Sequence, residues 1–233
     1  MVFVTKNGII KRTELSEFDN IRKSGKIAIT LKEDDELIYV GVTTGNDEIA
    51  IGANNGRMVR FNEDEVRVMG RSASGVKGIE LENSKVIGAE VIKPNQLILI
   101  VTENGYGKKS EIEEYRLTHR GSKGVKALNI TDKNGMMVAL KCVNPGDDYD
   151  LMIMTDSGII IKLPLEQVST LKRATQGVRL INLKEDQKVS TVAVVEKEET
   201  EESTESTGEE AESAPVEKDI SSEEKTQNTE NDE

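Results

Sequence analysis

Apolar and polar positions along the chain alternate in short blocks. The stretches "ELIYVGV", "EIAIG" and "RMVRF" are rich in valine and isoleucine and are bounded by asparagine, glycine and aspartate, the pattern of short β-strands. Between such blocks stand "KNG", "NNG" and "ENG", in which asparagine and glycine can take the positive φ of a tight hairpin. "DSG" at Asp156–Gly158 has the same form. No segment sustains the 3.6-residue period of an amphipathic helix. An all-β chain is expected.

The blocks recur. With Gly8, Gly56, Gly105 and Gly158 as anchors, the spacings are 48, 49 and 53 residues. Ten positions past each anchor stands an apolar or aromatic residue: Phe18, Val66, Tyr115, Val168. A second glycine follows, at Gly25, Gly75, Gly124 and Gly177, and opens another strand-like run. A period near 50 with about four strands per unit predicts a radial array of sheets, a β-propeller-like domain of about four blades over residues 1–195. The chain starts within a hairpin at Met1–Arg12, and the array closes on "KVSTVAVVE" with no hairpin after it. Either the terminal strands pair with each other, or the array is cut from a longer one.

Charge changes the picture only once it is divided. The formal net charge is −12, yet residues 196–233 carry 16 acidic and 3 basic residues, leaving 28 basic against 27 acidic in residues 1–195. A near-neutral body bears an acidic tail, which lacks the apolar surface to offset chain entropy and is expected to be disordered. Cys142 is the sole cysteine, so an intrachain disulfide and a cysteine metal site are excluded. No apolar run approaches the roughly 18 residues of a membrane span. The opening "MVFVTKNG" shows no basic region, apolar core or cleavage site, and a soluble, cytoplasmic protein without membrane association is expected.

Catalytic chemistry finds little support. His119 is the only histidine and sits in "THRGSKG", which reads as a solvated loop and leaves no histidine-based triad or cluster. "GYGKKS" and "GRSASGVK" lack the spacing and the strand-to-helix context of a phosphate-binding loop. "NPGDDYD" and "KEDDE" lack the alternating ligands of a calcium loop.

The cations, by contrast, are periodic. Arg12, Arg60, Lys109 and Lys162 each stand four positions past an anchor. The loop pattern R-x-x-x-G-x-[KR] recurs as Arg71, Gly75, Lys77, as Arg120, Gly124, Lys126, and as Arg173, Gly177, Arg179. The first unit has "IRKSGKI" in its place, with Arg22, Lys23 and Lys26; Lys11, Lys108, Lys123 and Lys172 lie nearby. In a radial array, equivalent positions fall along one rim, so these residues are expected to form a curved positive track. Glycines beside them let a phosphate approach the main-chain amides. Aromatic residues do not interleave with the charges, which argues against base stacking. Duplex DNA, held by its phosphates and bent, is the expected partner.

The stretches "TENGYGKKSEIEEYRLTHRGSKGVKAL", "GRSASGVKGI" and "RATQGVRLINLKEDQKVSTVAVV" closely resemble the C-terminal domain of bacterial DNA gyrase A. The resemblance covers residues 1–195 and the acidic tail. It implies a β-pinwheel, six-bladed in the family, that wraps DNA so that ATP-driven strand passage introduces negative supercoils. It further implies a bacterial, nucleoid-associated setting and, as partners, the rest of gyrase A together with gyrase B. ATP and Mg2+ would act elsewhere in that holoenzyme, so no cofactor is expected here and the chain alone is expected to be non-catalytic. Four repeats are present. The family's Q-R-R-G-G-[KR]-G box is matched in part by Thr118–Gly124, which keeps Arg120, Gly121, Lys123 and Gly124. Two alternatives stand beside this reading: the equivalent domain of topoisomerase IV, and a propeller that binds proteins.

The tail yields a prediction. A tethered acidic segment reaches a local concentration on the order of millimolar and competes with DNA for cations. Screening extends about 30 Å at 0.01 M salt but about 8 Å at physiological strength. Ending the chain after Val195 is expected to tighten binding of duplex DNA at low salt, with the gain fading as salt rises. Equal affinities of the two chains in a low-salt titration would leave the tail without this role.

Overall fold

The computed structural model describes residues 1–146, 148–184 and 186–197; the expected disordered tail lies, from residue 198 onward, outside the described residues. Each repeat opens with a hairpin. These are β1 (Val2–Thr5) with β2 (Ile9–Arg12), β4 (Glu48–Ala53) with β5 (Arg57–Asn62), β8 (Leu97–Thr102) with β9 (Tyr106–Glu111), and β12 (Tyr149–Thr155) with β13 (Ile160–Pro164). The first strand of each hairpin pairs on its other side with a later strand of its own repeat: β3 (Leu37–Gly41), β7 (Val86–Ile92), β11 (Met137–Val143) and β15 (Val189–Glu196). Every pair of strands is antiparallel. The helical content of the described residues is confined to single 3-10 turns after each hairpin.

The fourth strand departs from a simple one-repeat, one-blade reading. It comes from the following repeat: β6 (Val76–Lys77) closes on β2, β10 (Val125–Lys126) on β5, and β14 (Val178–Arg179) on β9. Among the described residues the result is three four-stranded sheets and one three-stranded sheet, β13-β12-β15, a four-bladed propeller-like array. β1 and β15 lie in different sheets, so the terminal strands do not pair with each other.

The anchor glycine makes this exchange possible. Gly8, Gly56, Gly105 and Gly158 have φ of 80°, 79°, 77° and 81°, a region that a β-carbon disfavours. The asparagines before the first three, though able to take positive φ, stay out of that region. Asn7 and Asn104 instead donate side-chain N–H to the carbonyls of Asp34 and Asp132. In three blades the anchor carbonyl accepts two N–H groups from the incoming segment. Gly8 O takes Gly78 N at 2.8 Å and Ile79 N at 3.4 Å, Gly56 O takes Ala127 N and Leu128 N, and Gly105 O takes Leu180 N and Ile181 N.

The core lies between blades. Ile49 and Ile51 of β4 join Val4, Ile10 and Val86 in one apolar cluster, while Ala50, on the opposite face, joins Ile98, Ile100, Tyr115 and Leu140 in the next. A third cluster holds Leu99 and Val101 against Leu151 and Ile153. Period-two alternation thus feeds two cores from one strand, because both faces of a central blade are covered. Tyr115, predicted as a packing residue, is fully buried, and burial pushes its phenol up to about 12.

The anchors supply a matched pair of substitutions. A β-carbon on Gly105 would lie 2.6 Å from Ile181 Cγ2 and 2.9 Å from Ile181 O, whereas one on Gly158 would meet nothing within 4 Å. Both carry the left-handed backbone cost of roughly 1–2 kcal/mol. Only Gly105 adds the roughly 1–3 kcal/mol of overpacking. Urea unfolding is expected to show Gly105→Ala less stable than Gly158→Ala by at least about 1 kcal/mol; equal losses would mean that the borrowed strand yields freely.

Candidate nucleic-acid interface

The periodic cations divide into three kinds. Lys11 and Lys108 stand as a correction to the exposed track predicted from the sequence, because both are fully buried. Lys108 Nζ donates to the carbonyls of Lys172 at 2.7 Å and Arg173 at 2.5 Å. Lys11 Nζ donates to Ala28 O at 2.5 Å and to Arg71 O. Burial lowers the pKa of both ammonium groups, that of Lys108 to about 8. An ammonium withdrawn from water needs acceptors, and main-chain carbonyls of the neighbouring loop provide them. The register three past the anchor reads Lys11, Val59, Lys108, Ile161. Its two apolar members are the sequence signal that this position points inward.

At the register four past the anchor, the first three residues tie one repeat to the next, and the fourth pairs within its own hairpin. Arg12 pairs with the buried Glu63 at 3.3 Å. Arg60 pairs with Glu48 at 2.5 Å and donates to the carbonyls of Ile112 and Tyr115. Lys109 donates to Leu165 O at 2.9 Å, and Lys162 pairs with Asp150 at 3.0 Å. Of the four, only Lys162 is exposed.

The motif arginines tie each loop to the preceding one. Arg71 donates to Ile27 O, Arg120 to Lys77 O and Arg173 to Lys126 O, at 3.1, 3.1 and 2.8 Å. Each acceptor stands two residues past the second glycine of the previous repeat. The three bonds therefore form one ladder running across successive blades.

The remaining cations are at the surface. Lys77, Lys123, Lys126, Lys172 and Arg179 are exposed, as are Arg22 and Lys23 of the first unit, with Lys26 half-buried. Several rest against carboxylates: Lys77 on Glu80 at 2.6 Å, Lys172 on Glu114 at 3.1 Å, and Lys123 on Glu82. Arg179 donates to Tyr106 Oη and lies 5.4 Å from the centre of that ring, and Lys133 places a second cation 5.8 Å from it. His119 is 92% exposed and rests 3.3 Å from Glu65. Together with Arg116, Ser122 and Lys123 it lines an open cleft of 660 Å³ at the partial box Thr118–Gly124.

A set of carboxylates escaped the sequence reading. Glu65 Oε2 accepts the main-chain N–H of Arg120 at 3.1 Å, and Glu114 Oε2 accepts that of Arg173 at 2.7 Å. Glu17 lies 3.7 Å from the Arg71 guanidinium. All three stand nine past their anchors, where the fourth unit has Gln167. That recurrent acid was the available signal. The Arg173 amide, joined by Lys172, holds the Glu114 carboxyl below its usual range.

Among the described residues, no cluster of three or more His, Cys, Asp or Glu could hold a metal ion, and no helix is long and apolar enough to cross a membrane.

Comparison with known proteins agrees with this architecture. The family described as DNA gyrase C-terminal domain, beta-propeller, matches residues 1–44, 47–93, 96–144 and 149–196, one segment per repeat. The A subunit of DNA gyrase from Staphylococcus epidermidis is 49% identical over 201 residues, and that from Staphylococcus aureus 48%. Each alignment covers 85% of this chain but 22% of the relative, so the chain spans about a fifth of their length. The C-terminal domain of DNA topoisomerase IV superimposes with a TM-score of 0.78 at 28% identity, over 84% of this chain and 61% of that one. A DNA gyrase A C-terminal domain superimposes at 0.72 and 23% identity, over 83% and 64%.

The buried lysine gives a pH test. Lys108 titrates near 8 when folded and near 10.5 when unfolded, so between these values the unfolded chain binds more protons. Its contribution to stability is complete above about pH 10.5 and is lost as pH falls through about 8. Measured by denaturant unfolding, the stability of the parent relative to Lys108→Met is expected to rise from pH 8 to pH 10. A flat difference would place this ammonium in contact with solvent.

Proposed function

The chain belongs to the DNA gyrase C-terminal domain family, and from that premise we propose that it binds duplex DNA and wraps it along the loops that follow each second glycine. The observation that carries the reading is the repetition of an exposed cation, Lys77, Lys126 and Arg179, at one register on successive blades, beside Lys123 and Lys172. Their carboxylate partners are no obstacle. Exposed ion pairs contribute about 0–1 kcal/mol, so exchanging a carboxylate for a phosphate costs little. Each phosphate bound also releases counterions from the duplex, which drives association. The loops bear few aromatic groups, so contacts to the backbone dominate and sequence enters through the ease of bending.

In the longer protein, a wrapped segment of fixed handedness would be delivered to the strand-passage machinery formed by the rest of gyrase A with gyrase B. There ATP and Mg2+ would drive negative supercoiling, and this domain would supply geometry and no covalent step. The equivalent role in topoisomerase IV is a second reading, favoured by the superposition on that enzyme's domain and by the partial box at Thr118–Gly124. Ligation of nicked circular DNA in the presence of the chain separates the two. A one-signed shift in linking number marks chiral wrapping, and bending alone leaves the linking number unchanged.

DNA binding itself is tested by a salt series. If about six phosphates are neutralised, log affinity falls with log salt at a slope near −5. Reversing Lys77, Lys123 and Lys126 to glutamate is expected to flatten that slope by about 3. Reversing Lys32, Lys85 and Lys133, which are off the repeated register, is expected to change it less. Binding indifferent to salt would favour a protein-interaction scaffold, and equal losses from both sets would mean that net charge acts without a track.

A further inference from the structure

The carboxylates nine past the anchors lie in the wrong place for a simple electrostatic picture. A DNA-binding loop gains nothing from a negative charge beside its arginine. Yet Glu114 places Oε2 2.7 Å from the Arg173 amide and Oε1 3.1 Å from Lys172 Nζ. One blade earlier, Glu65 accepts the Arg120 amide at 3.1 Å, and its main-chain oxygen accepts Arg120 Nε at 2.8 Å. The same device thus occurs on two blades at one register.

Around Arg173 the main chain is fixed from several sides. Leu171 N donates to Lys109 O at 2.8 Å, and Leu171 O accepts Ser110 Oγ at 2.6 Å. The carbonyls of Lys172 and Arg173 are taken by Lys108. The Arg173 amide donates to Glu114, which adds a side-chain anchor to this turn. The site is only part-buried, so the bond contributes by fixing the conformation of this turn more than by sparing an unsatisfied donor. The ladder bond from Arg173 to Lys126 O, and the presentation of Lys172 at 86% exposure, both follow from this fixed main chain.

We propose that Glu114 and Glu65 are positioning residues for DNA binding, carboxylates that hold the arginine loop's main chain in the conformation that presents its cations to the duplex. The inference rests on the DNA-binding reading above. It makes a prediction opposite in sign to charge counting. Removing Glu114 deletes a negative charge beside the track, which by itself tightens DNA binding. Loss of loop position weakens it.

The experiment compares Glu114→Ala, Glu114→Gln and Glu113→Ala, the last an exposed neighbour with the same change in charge as the first. Affinity for a duplex is measured at two salt concentrations, with amide hydrogen exchange at Arg173 and a melting curve for each variant. Glu114→Ala is expected to weaken binding about tenfold, the worth of one hydrogen bond to a charged group. Its Arg173 amide should exchange faster by a similar factor. Glu114→Gln retains an oxygen acceptor for the amide and is expected to bind as tightly as the parent or tighter. Glu113→Ala should bind as the parent or slightly tighter. The Glu65 pair, Glu65→Ala and Glu65→Gln, repeats the comparison on the previous blade, so that a Glu114 variant that fails to fold leaves a second measurement. Parental or tighter binding by both alanine variants overturns the positioning role while leaving DNA binding intact. Equal weakening by alanine and glutamine overturns it too, because the charge and not the acceptor would then matter. A parent chain that binds no duplex overturns both readings at once.

Discussion

The arrangement depends on one carbonyl in each of three blades. The anchor glycine turns its backbone into the left-handed region, and its oxygen receives two N–H groups from the next repeat. Two residues of that repeat then complete the blade's edge. A sheet edge is an unpaired row of donors and acceptors, and borrowing a strand from the neighbour closes it without lengthening the repeat. The same exchange presses Ile79, Leu128 and Ile181 into the apolar layers between blades. Backbone pairing and core packing are therefore made by one segment, and the loops just before it are fixed in both blades together.

This coupling explains why a periodic set of cations serves two ends. A charge at the inward register must leave water, and it survives only where carbonyls or a carboxylate replace the lost hydration. Lys11, Lys108, Arg12 and Arg60 meet that condition and hold loop to blade. A charge two residues beyond the second glycine stays wet and is free to meet an anion. The motif arginines lie between these cases, with guanidinium groups spent on carbonyls of the preceding loop. Sequence spacing alone does not separate the three, because all share the same period.

What could be read from the sequence follows the same division. The period, the turn glycines, the strand-like runs and the inward placement of Tyr115 are local properties, and local propensity and pattern decide them. Strand exchange is not local: Val76, Val125 and Val178 look like ordinary strand residues whichever hairpin they close. The burial of Lys11 and Lys108 also ran against the usual preference of lysine for solvent. Comparison across repeats would have revealed it, since Val59 and Ile161 occupy the same register. The acids Glu65 and Glu114 were visible as a register too, yet their bond to an arginine amide in the next repeat depends on how blades stack.

The first and fourth units show what the exchange contributes, because each holds half of it. In the first unit Gly25–Leu31 has the pattern of the borrowed segments but forms no strand. Ile29 is only half-buried and Leu31 is 41% exposed, whereas Ile79 and Leu128, at Ile29's register, are 2% and 1% exposed. In the fourth, β13 has no strand on its outer side among the described residues, and Ile160 is 53% exposed where Ile10, its counterpart on β2, is fully buried. Identical registers therefore bury their isoleucines when a neighbouring blade is engaged and expose them when it is not. The apolar pattern of one repeat specifies a contact and not a blade, so burial in this array is a property of junctions. The position of each cationic loop inherits that dependence: Lys77, Lys126 and Arg179 belong to segments seated at a junction, whereas Arg22 and Lys23 precede one that is not. Any track along these loops is thus as continuous as the junctions beneath it.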